Sequence, residues 1–356
     1  MDGTHLNNKI GIVGGGITGL ISAYFLSLEG YKVDLYEKKT LLSETSSKTT
    51  KLIHGGIRYL ENLQFHEVKN GINDRKWWLE NFPDETKLQE IIILSKKKLS
   101  PEIFKFFFGI KVYETFAGRS NIKTGRLYKQ DDLLSLGIKN NISAGISFYD
   151  GLMQESVGQE IIKRCKSNGV NFYENNEIKS IRSEGRIEEK QYKKIIIATG
   201  PWVSSFLKQN KIDTNKTIDY IKGSHLIINR KIKKGLMFRD QKKHRYIFAL
   251  PYQGNLLLGT TEQRVRSPED NNVLDSEVNY LLESINIYID RPINKDEIIK
   301  SYSGVRPLIK SKAQDFHSSS RDFYIQKDHN LLSLFGGKWT TAPSIARNIV
   351  RIVNNE

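Results

Sequence analysis

Apolar and polar residues follow two different periods in the first part of the chain. Ile10 to Val13 is a short apolar run, rich in β-branched residues and bounded by glycines, which is typical of a buried parallel strand. From Ile17 to Leu28 the apolar positions recur at helical spacing, and a second strand follows at Lys32 to Tyr36. The pattern therefore predicts a strand, a turn, a helix and a strand in that order.

The remaining pattern predicts further elements of both kinds. Helices are predicted over His66–Phe82, Glu155–Cys165 and Ser344–Val353, and strands begin near Gly169 and Lys194. Between residues 218 and 262 apolar and polar residues alternate as sheet strands require. Together these elements indicate an α/β protein.

The first turn has the sequence G-x-G-x-x-G, at Gly14, Gly16 and Gly19. The missing side chains let backbone N–H groups approach a pyrophosphate, and the helix N-terminus adds a partial positive charge. Glu37 lies 23 residues after Gly14, close to the spacing of about 20 for a carboxylate that binds a ribose hydroxyl. The motif predicts a dinucleotide site and leaves NAD and FAD open. The alternatives are an ordinary turn and a solvated carboxylate.

Length and composition narrow the class of protein. The 356 residues suffice for two domains or for one large domain with an insertion. Because no run of about 18 apolar residues is present and the first eight residues are too polar for a secretory signal, we expect a cytoplasmic protein. The single cysteine, Cys165, excludes internal disulfides and four-thiolate iron–sulfur ligation, and we expect it to be a spectator.

The net charge of +15 is consistent with nucleic acid, an anionic membrane surface or a phosphorylated substrate as partner. Abundant lysine, isoleucine and asparagine would also follow from an AT-rich genome. The sequence contains no zinc spacing, RNA-binding signature or basic-aromatic repeat. We therefore expect neither a nucleic-acid partner nor a metal site.

One long run resembles a known family. Five hydroxyl residues lie between Thr45 and Thr50, and the run T-S-S-x-x-x-K-L-I-H-G-G-I-R-Y-L-E continues to Glu61. It resembles the signature of the FAD-dependent glycerol-3-phosphate dehydrogenases, in the wider D-amino-acid-oxidase-like flavoprotein superfamily. Further blocks that resemble this family lie at residues 194–203, 222–225, 301–308, 320–323 and 334–341.

The resemblance implies a Rossmann-like FAD-binding domain of the D-amino-acid-oxidase type with an inserted, sheet-based substrate domain. The FAD-binding domain is expected at residues 1–85, 150–215 and 300–356, and the substrate domain at residues 86–149 and 216–299. The expected FAD contacts are Gly14, Gly16, Ile17, Thr18, Gly19, Glu37, Lys38, Thr45, Ser46, Ser47, Lys51, Leu52, His54, Thr199, Gly200, Gly336, Gly337, Lys338, Trp339 and Thr340.

Three arginines are candidates for binding a substrate phosphate, because a fork-shaped cation suits phosphate better than lysine does. Arg58, Arg306 and Arg321 each lie in a loop marked by glycine or proline, where an arginine is otherwise a surface or structural residue. By resemblance, Arg58 and Tyr59 would contact the phosphate and Arg306 and Arg321 would complete the cationic pocket. Lys338 would lie near the flavin and the substrate.

Oxidation of an alcohol by a flavin sends a hydride to flavin N5 while a base takes the hydroxyl proton. Histidine titrates near neutrality, so His225 in the block K-G-S-H is the candidate base, and His54 is the runner-up. His225 is otherwise a hydrogen-bonding residue in a strand. Lys338 can stabilise an alkoxide or the flavin electrostatically. We expect His225, Lys338 and Arg306 to carry the catalysis.

The family implies oxidation of sn-glycerol 3-phosphate to dihydroxyacetone phosphate, with electrons passing to quinone or, in the oxidase branch, to oxygen. The single G-x-G-x-x-G argues against a soluble NAD(P) partner. One alternative is an FAD-dependent oxidase or dehydrogenase of another small hydroxy acid, amine or phosphorylated alcohol. Another is a flavin-binding accessory protein without turnover.

Three departures from the family pattern keep those alternatives open. Ala342-Pro343 stands where the family usually continues with Tyr-Arg, and residues 149–155 lack the usual acid-Ala-Arg pattern. The chain also stops soon after its last helix, whereas fuller members continue into a C-terminal helical domain.

A basic and aromatic stretch, residues 96–116, has two interpretations. Such a segment can lie in a membrane interface, which would place the protein peripherally at the inner face of the cell membrane, near a quinone. Its poor periodicity favours the other interpretation, a buried helix or strand of the substrate domain.

Overall fold

The structure, a computed structural model, describes residues 8–57, 65–96, 106–111, 115, 124–240, 245–310 and 323–355, with backbone alone at 65–67. The helices are α1 (Ile17–Leu28), α2 (Phe65–Asn81), α3 (Gln130–Leu134), α4 (Val157–Ser167), α5 (Val203–Gln209), α6 (Asp275–Asn286) and α7 (Ala342–Asn355). The strands are β1 (Lys9–Val13), β2 (Lys32–Tyr36), β3 (Leu52–Ile53), β4 (Thr86–Ser95), β5 (Leu127–Tyr128), β6 (Ala144–Met153), β7 (Asn171–Tyr173), β8 (Ile181–Arg182), β9 (Arg186–Ile187), β10 (Lys190–Gln191), β11 (Lys194–Ile197), β12 (Ile218–Ile228), β13 (Gly235–Arg239), β14 (Tyr246–Tyr252), β15 (Asn255–Gly259), β16 (Gln263–Val265), β17 (Ile298–Ile309), β18 (Phe323–Asp328) and β19 (Leu331–Gly336).

A six-stranded sheet has the order β18-β19-β11-β1-β2-β7. Its strands are parallel except for β18, which is antiparallel to β19. Ile10 and Ile12 in β1 and Ile195 to Ile197 in β11 have no exposed surface. A strand covered on both faces needs apolar residues at successive positions, which explains the continuous apolar runs in the sequence.

A ten-stranded, largely antiparallel sheet contains the order β16-β12-β15-β14-β13-β4-β6-β3, with β17 paired to β12 and β5 to β6. The longest pairing joins β12 and β17, from Ile218 opposite Ile309 to Ile228 opposite Ile298. This register places the K-G-S-H block of β12 beside the block at residues 301–308, although the two lie far apart in sequence.

The helices α1, α4 and α7 pack against the six-stranded sheet and share one apolar core, which includes Leu20, Ile161 and Ile349. Cys165 on α4 belongs to this core, and its thiol donates to the carbonyl oxygen of Leu20 at 3.5 Å. Burial raises the pKa of Cys165 to about 12, so the thiol stays protonated at neutral pH.

The predicted elements have close counterparts in the structure. The first strand, helix and second strand are β1, α1 and β2, and the strand expected near Gly169 begins at Asn171. The three other predicted helices are α2, α4 and α7, with ends that differ by one or two residues. Helix ends differ most because terminal turns lack part of the hydrogen bonding that defines a helix.

The division into FAD-binding and substrate segments stays a prediction. Within the expected FAD-binding segments, β3 pairs with β6 and β17 pairs with β12, so both strands belong to the ten-stranded sheet.

Part of the basic and aromatic stretch, residues 96, 106–111 and 115, lies within the described ranges. Phe106 is buried, and its ring is nearly perpendicular to that of Tyr246, with the two ring centroids 5.6 Å apart. Phe107 and Phe108 are 41% and 70% exposed. The described part therefore has one packed face and one exposed aromatic face. No helix in the described ranges is long and apolar enough to cross a membrane.

Candidate active site

A cleft of about 830 Å³ lies where the two large sheets meet. Its floor includes residues at the carboxyl ends of three parallel strands, Val13, Tyr36 and Gly336. Strand β1 lies between β2 and β11, where the strand order reverses direction. Ligands of open α/β sheets bind outside the carboxyl ends of the strands at such a reversal. The ten-stranded sheet contributes the opposite wall through β6, β12, β14 and β17.

The glycine turn closes one end of the cleft. Gly14 has a φ of +112°, and a Cβ atom there would overlap the carbonyl oxygen of Ala198. A Cβ atom at Gly19 would overlap the carbonyl oxygen of Gly14. Only glycine fits either position, and the turn therefore brings backbone to the cleft surface at the N-terminus of α1.

Glu37 follows β2 and lines the cleft beside this turn. Its Oε2 accepts a hydrogen bond from Gly15 N at 2.7 Å, and its Oε1 accepts one from Lys39 N at 2.8 Å. Each carboxylate oxygen has a second acceptor site. Glu37 is thereby fixed in orientation and can still accept hydrogen bonds from ribose hydroxyls.

The hydroxyl-rich run joins three elements around the cleft. Ser46 Oγ accepts from Ile17 N, at the start of α1, at 3.0 Å, and the Ser46 carbonyl oxygen accepts from Trp339 Nε1 at 2.7 Å. Thr45 Oγ1 donates to the carbonyl oxygen of Val305 in β17 at 3.3 Å. These bonds hold the run between the glycine turn, β17 and the loop after β19.

The loop between β19 and α7 has a defined conformation. Gly336 and Gly337 have φ values of +74° and +87°, which favour glycine. Lys338 N donates to Thr341 Oγ1 at 2.9 Å, and Trp78 Nε1 donates to the Thr340 carbonyl oxygen at 3.1 Å. The loop therefore presents Lys338 to the cleft from a fixed backbone.

His225 lies on β12 and is held on three sides. Its ring stacks on Tyr302 of β17, with centroids 5.0 Å apart and planes 18° apart. On the other neighbouring strand, a Cβ atom at Gly259 would overlap the ring carbon Cδ2. Thr50 Oγ1 lies 2.9 Å from Nε2. The ring is 3% exposed, lines the cleft and has little room to turn.

The environment of His225 favours its neutral form. Burial lowers its pKa to about 3, and the positive charges of Arg306, Lys51 and Arg245 act in the same direction. The imidazole is therefore neutral at physiological pH and has a lone pair that can accept a proton.

Arg306 lies on β17, opposite Ile221 of β12, and not in the loop expected from the adjacent proline; it lines the same wall of the cleft. Its Nη2 donates to the Thr261 carbonyl oxygen at 3.2 Å, and a Cβ atom at Gly223 would lie 2.7 Å from that nitrogen. Lys48, Arg245 and Lys338 also line the cleft. Burial lowers the pKa of Lys51, behind the wall, to about 8. Carboxylates, among them Asp150 and Glu262, line the cleft as well, and its cations are the groups able to bind an anionic ligand.

The family to which the chain is similar agrees with this geometry. Residues 9–352 match the family described as FAD dependent oxidoreductase, abbreviated DAO. The chain belongs to the FAD dependent oxidoreductase family. The family resemblance, the α/β fold with a Rossmann-like FAD-binding part and the FAD cofactor expected from the sequence are confirmed.

Curated relatives share this family and carry a more specific name. The chain is 28% identical over 375 residues to a glycerol-3-phosphate dehydrogenase of Pseudomonas tolaasii, covering 95% of this chain and 70% of the relative. It is 30% identical over 374 residues to an aerobic glycerol-3-phosphate dehydrogenase of Staphylococcus epidermidis, covering 96% of this chain and 66% of the relative. The chain thus spans about two thirds of the length of these relatives.

Solved structures of flavoenzymes have the same fold. A glycerol-3-phosphate dehydrogenase from Bacillus halodurans complexed with FAD matches with a TM-score of 0.75 and 21% identity, covering 98% of this chain and 64% of that one. An FAD-bound L-alpha-glycerophosphate oxidase from Mycoplasma pneumoniae matches with a TM-score of 0.77 and 20% identity, covering 97% and 94%. Glycine oxidase from Geobacillus kaustophilus matches with a TM-score of 0.74 and 16% identity, covering 98% and 95%.

The residues of the cleft fit FAD. The glycine turn at the start of α1 suits the pyrophosphate, and Glu37 at the end of β2 suits the ribose. Of the expected FAD contacts, Gly19, Ser47 and Lys51 lie behind the cleft wall: Gly19 packs under the turn, and Lys51 Nζ donates to the Ser47 carbonyl oxygen at 2.8 Å. All the other expected contacts line the cleft.

The residues expected to bind substrate divide into two groups. His225, Arg306 and Lys338 line one cleft together. Arg58, Tyr59 and Arg321 lie outside the described residues.

Some residues of the cleft had no separate signal in the sequence. Asp150 lines the cleft and accepts from Gly55 N and from Arg75 Nη1, both at 3.0 Å. Asp150 belongs to the block that departs from the family pattern, and Arg75 lies within the long polar helix α2. Arg245 precedes β14 and forms an ion pair of 3.4 Å with Glu262. Arg75 and Arg245 do not lie beside a glycine or a proline, the feature that marks Arg58, Arg306 and Arg321 as candidates in the sequence.

Proposed function

We propose that this FAD-dependent oxidoreductase oxidises sn-glycerol 3-phosphate to dihydroxyacetone phosphate. The observation that carries the proposal is the meeting, in one cleft, of a buried neutral histidine and several cations: His225, Arg306 and Lys338. A phosphorylated alcohol requires both a proton acceptor and an anion site. The names of the curated relatives support the same substrate.

His225 is the proposed base for the substrate hydroxyl. FAD, when bound, supplies the hydride acceptor for the carbon that is oxidised. As the carbon loses its hydride, the hydroxyl loses its proton to the neutral imidazole of His225. Tyr302, Thr50 and the backbone at Gly259 hold the ring in one orientation, so the proton acceptor does not have to be oriented during the reaction.

The cations of the cleft bind the substrate and stabilise charge. Arg306 is assigned to the phosphate, together with Arg321, which lies outside the described residues. Lys338, on the fixed loop before α7, is assigned to the oxygen that becomes the ketone, where a positive charge stabilises developing negative charge. The positive charge of Arg306 also lowers the pKa of His225, and the negative charge of a bound phosphate would act in the opposite direction.

Quinone or oxygen is the proposed acceptor of the electrons. The sequence has a single dinucleotide motif, which argues against a soluble NAD(P) partner. The exposed rings of Phe107 and Phe108 beside Lys111 support contact with an anionic membrane surface, where a quinone would be reached. Flotation with anionic liposomes at low and high salt tests this part. Binding that weakens with salt supports it, and no flotation at either salt removes it.

An anaerobic visible spectrum of the FAD-loaded protein tests the substrate. Glycerol 3-phosphate should bleach the flavin band near about 450 nm. The compounds for comparison are unphosphorylated glycerol, a hydroxy acid and an amine. If one of them bleaches the flavin in preference to glycerol 3-phosphate, the substrate belongs to the class of that compound. A flavin that only dithionite bleaches would indicate an accessory protein without turnover.

A further inference from the structure

The wall that carries His225 consists of β12 and the segment that follows β15. Along β12, Gly223 and His225 line the cleft. Ser224 between them faces the opposite side, because side chains alternate along a strand. In the adjoining segment Thr260 lines the cleft, whereas the hydroxyl of Thr261 reaches Ser224 behind the wall.

Behind this wall one carboxylate binds four donors. Glu277 on α6 accepts from Ser224 Oγ at 2.9 Å and from Thr261 Oγ1 at 2.6 Å through Oε1. Through Oε2 it pairs with Lys222 Nζ at 2.8 Å and accepts from Leu274 N at 3.1 Å. The carboxylate therefore ties α6 to both segments of the wall.

The same two segments are joined directly, and the joint leads to the cleft. Ser224 N donates to Thr261 Oγ1 at 2.9 Å, and Thr261 N donates to the Ser224 carbonyl oxygen at 3.2 Å. On the cleft side, the Thr261 carbonyl oxygen accepts from Arg306 Nη2. His225 is the next residue after Ser224, so any shift of the joint moves both the base and the partner of the arginine.

The side chains bonded to Glu277 are buried and lie outside the cleft. The side chains of Lys222 and Glu277 are 3% and 8% exposed. Burial opposes ionisation, but the hydrogen bonds from Lys222 and Thr261 outweigh it and hold the pKa of the Glu277 carboxyl below its usual range. Lys222, Ser224, Thr261 and Glu277 do not line the cleft. They act on a bound substrate only through the wall.

We propose that Glu277 is a positioning residue, which fixes the wall of the active site from behind so that His225 and Arg306 keep their relative placement. The proposal rests on the proposed function, in which these two residues act on one substrate. Arg306 packs closely against the backbone of Gly223, since a Cβ atom added there would lie 2.7 Å from Arg306 Nη2.

The test compares three variants with the wild type. Glu277→Gln keeps the shape of the side chain and removes its charge, which leaves the buried Lys222 ammonium with its hydrogen bond to the Asn272 carbonyl oxygen but without a counter-charge. The double variant Lys222→Met with Glu277→Leu replaces both buried charges by apolar side chains that can pack against each other. It also leaves the Ser224 and Thr261 hydroxyls without the carboxylate that accepts their hydrogen bonds. The control is Glu297→Gln, because Glu297 also pairs with a cation, Arg230, at 2.8 Å, at the far end of the same strand pair.

Two readouts separate positioning from stability. One is kcat/KM for anaerobic flavin reduction by glycerol 3-phosphate, alongside the thermal midpoint. The other is the ring resonance of His225 in isotope-labelled protein without substrate, assigned by its loss in His225→Asn. For positioning, the double variant should regain stability and still lose about tenfold to a hundredfold in kcat/KM, with a shifted His225 resonance. Glu297→Gln should change neither.

The opposite results are equally definite. A double variant with wild-type kcat/KM and an unmoved His225 resonance would show that Glu277 serves stability alone and would overturn the inference. If wild-type flavin is not reduced by glycerol 3-phosphate, the proposed substrate fails, and the His225 resonance still decides whether Glu277 positions the wall.

Discussion

The hydroxyl oxygen of Thr50 lies 2.9 Å from Nε2 of His225, across a sequence separation of 175 residues. Among the described residues Nε2 has this partner, whereas Nδ1 has none. Thr50 belongs to the run that the sequence assigned to FAD, and His225 belongs to the wall assigned to the substrate. This hydrogen bond therefore joins the two halves of the active site and orients the proposed base.

Thr50→Val should slow flavin reduction about tenfold while FAD stays bound. Valine keeps the shape of the side chain but leaves a buried ring nitrogen without its hydrogen bond, at a cost of about 1–3 kcal/mol. Thr50→Ser retains the hydroxyl and should keep most of the rate. Stopped-flow reduction measures both, and Thr86→Val is the control, since its buried hydroxyl donates to the Phe82 carbonyl oxygen away from the cleft. Equal rates for the two Thr50 variants would contradict the role.

Gly259→Ala should reduce turnover more than it reduces stability. The new methyl group would overlap Cδ2 of His225, so the ring has to rotate away from Thr50 and Tyr302. We expect at least a tenfold loss in kcat, an order expected when a catalytic group is misplaced by about 1 Å. Gly254→Ala is the control for turnover: its φ of +76° should make alanine cost about 1–2 kcal/mol in stability, but no heavy atom lies within 4 Å of the position of its Cβ atom, so kcat should not change. A wild-type kcat in Gly259→Ala would show that the ring is not confined there.

The dinucleotide part of the fold could be predicted because its signals are local. Three glycines and an acid at the end of the next strand determine a turn whose geometry follows from steric limits alone. The structure shows why: side chains at Gly14 and Gly19 would overlap backbone atoms. The elements β1, α1 and β2 lie in one contiguous stretch of sequence, so no long-range pairing had to be inferred.

The substrate wall could be predicted only as separate blocks. The pairing of β12 with β17 brings His225 opposite Tyr302, and nothing local in either strand specifies that register. Glu277 lies on an amphipathic helix, where the sequence alone does not distinguish a buried acid from a solvated one, since its partners come from two other segments, β12 and the residues after β15. The role of Arg75 could not be predicted either, because its partner Asp150 lies 75 residues away in the sequence.

Gly14→Ala should prevent tight FAD binding. The substitution forces a side chain into a φ of +112° and against the Ala198 carbonyl oxygen, so the turn has to open. Fluorescence titration with FAD should show a loss of at least a hundredfold in affinity. Gly30→Ala is matched in its positive φ of +82°, but no heavy atom lies within 4 Å of its Cβ position. It should cost only about 1–2 kcal/mol in stability. Normal FAD affinity in Gly14→Ala would remove the turn as the pyrophosphate site.

Arg306→Ala should weaken reduction by a phosphorylated substrate and leave FAD bound. Loss of hydrogen bonds to a charged group costs about 1.5–3 kcal/mol, or roughly tenfold to a hundredfold in kcat/KM. Arg264→Ala is the control, because Arg264 pairs with Asp219 on the same sheet and does not line the cleft. An equal loss with phosphorylated and unphosphorylated substrates would argue against a phosphate role for Arg306.

The buried His225 should make the protein less stable in acid. Its pKa is about 3 in the folded protein and about 6.5 in an unfolded chain. Between these values the unfolded chain binds a proton that the folded protein does not, so stability falls as the pH falls through this window. Lowering the pH from 7 to 5 should cost about 2 kcal/mol through this residue alone. Urea unfolding at both pH values should show that His225→Gln, which lacks the titrating group, loses about that much less than the wild type. The same pH dependence in both proteins would mean that His225 has the same pKa in the folded and unfolded states, and the lowered pKa of the buried ring would then be wrong.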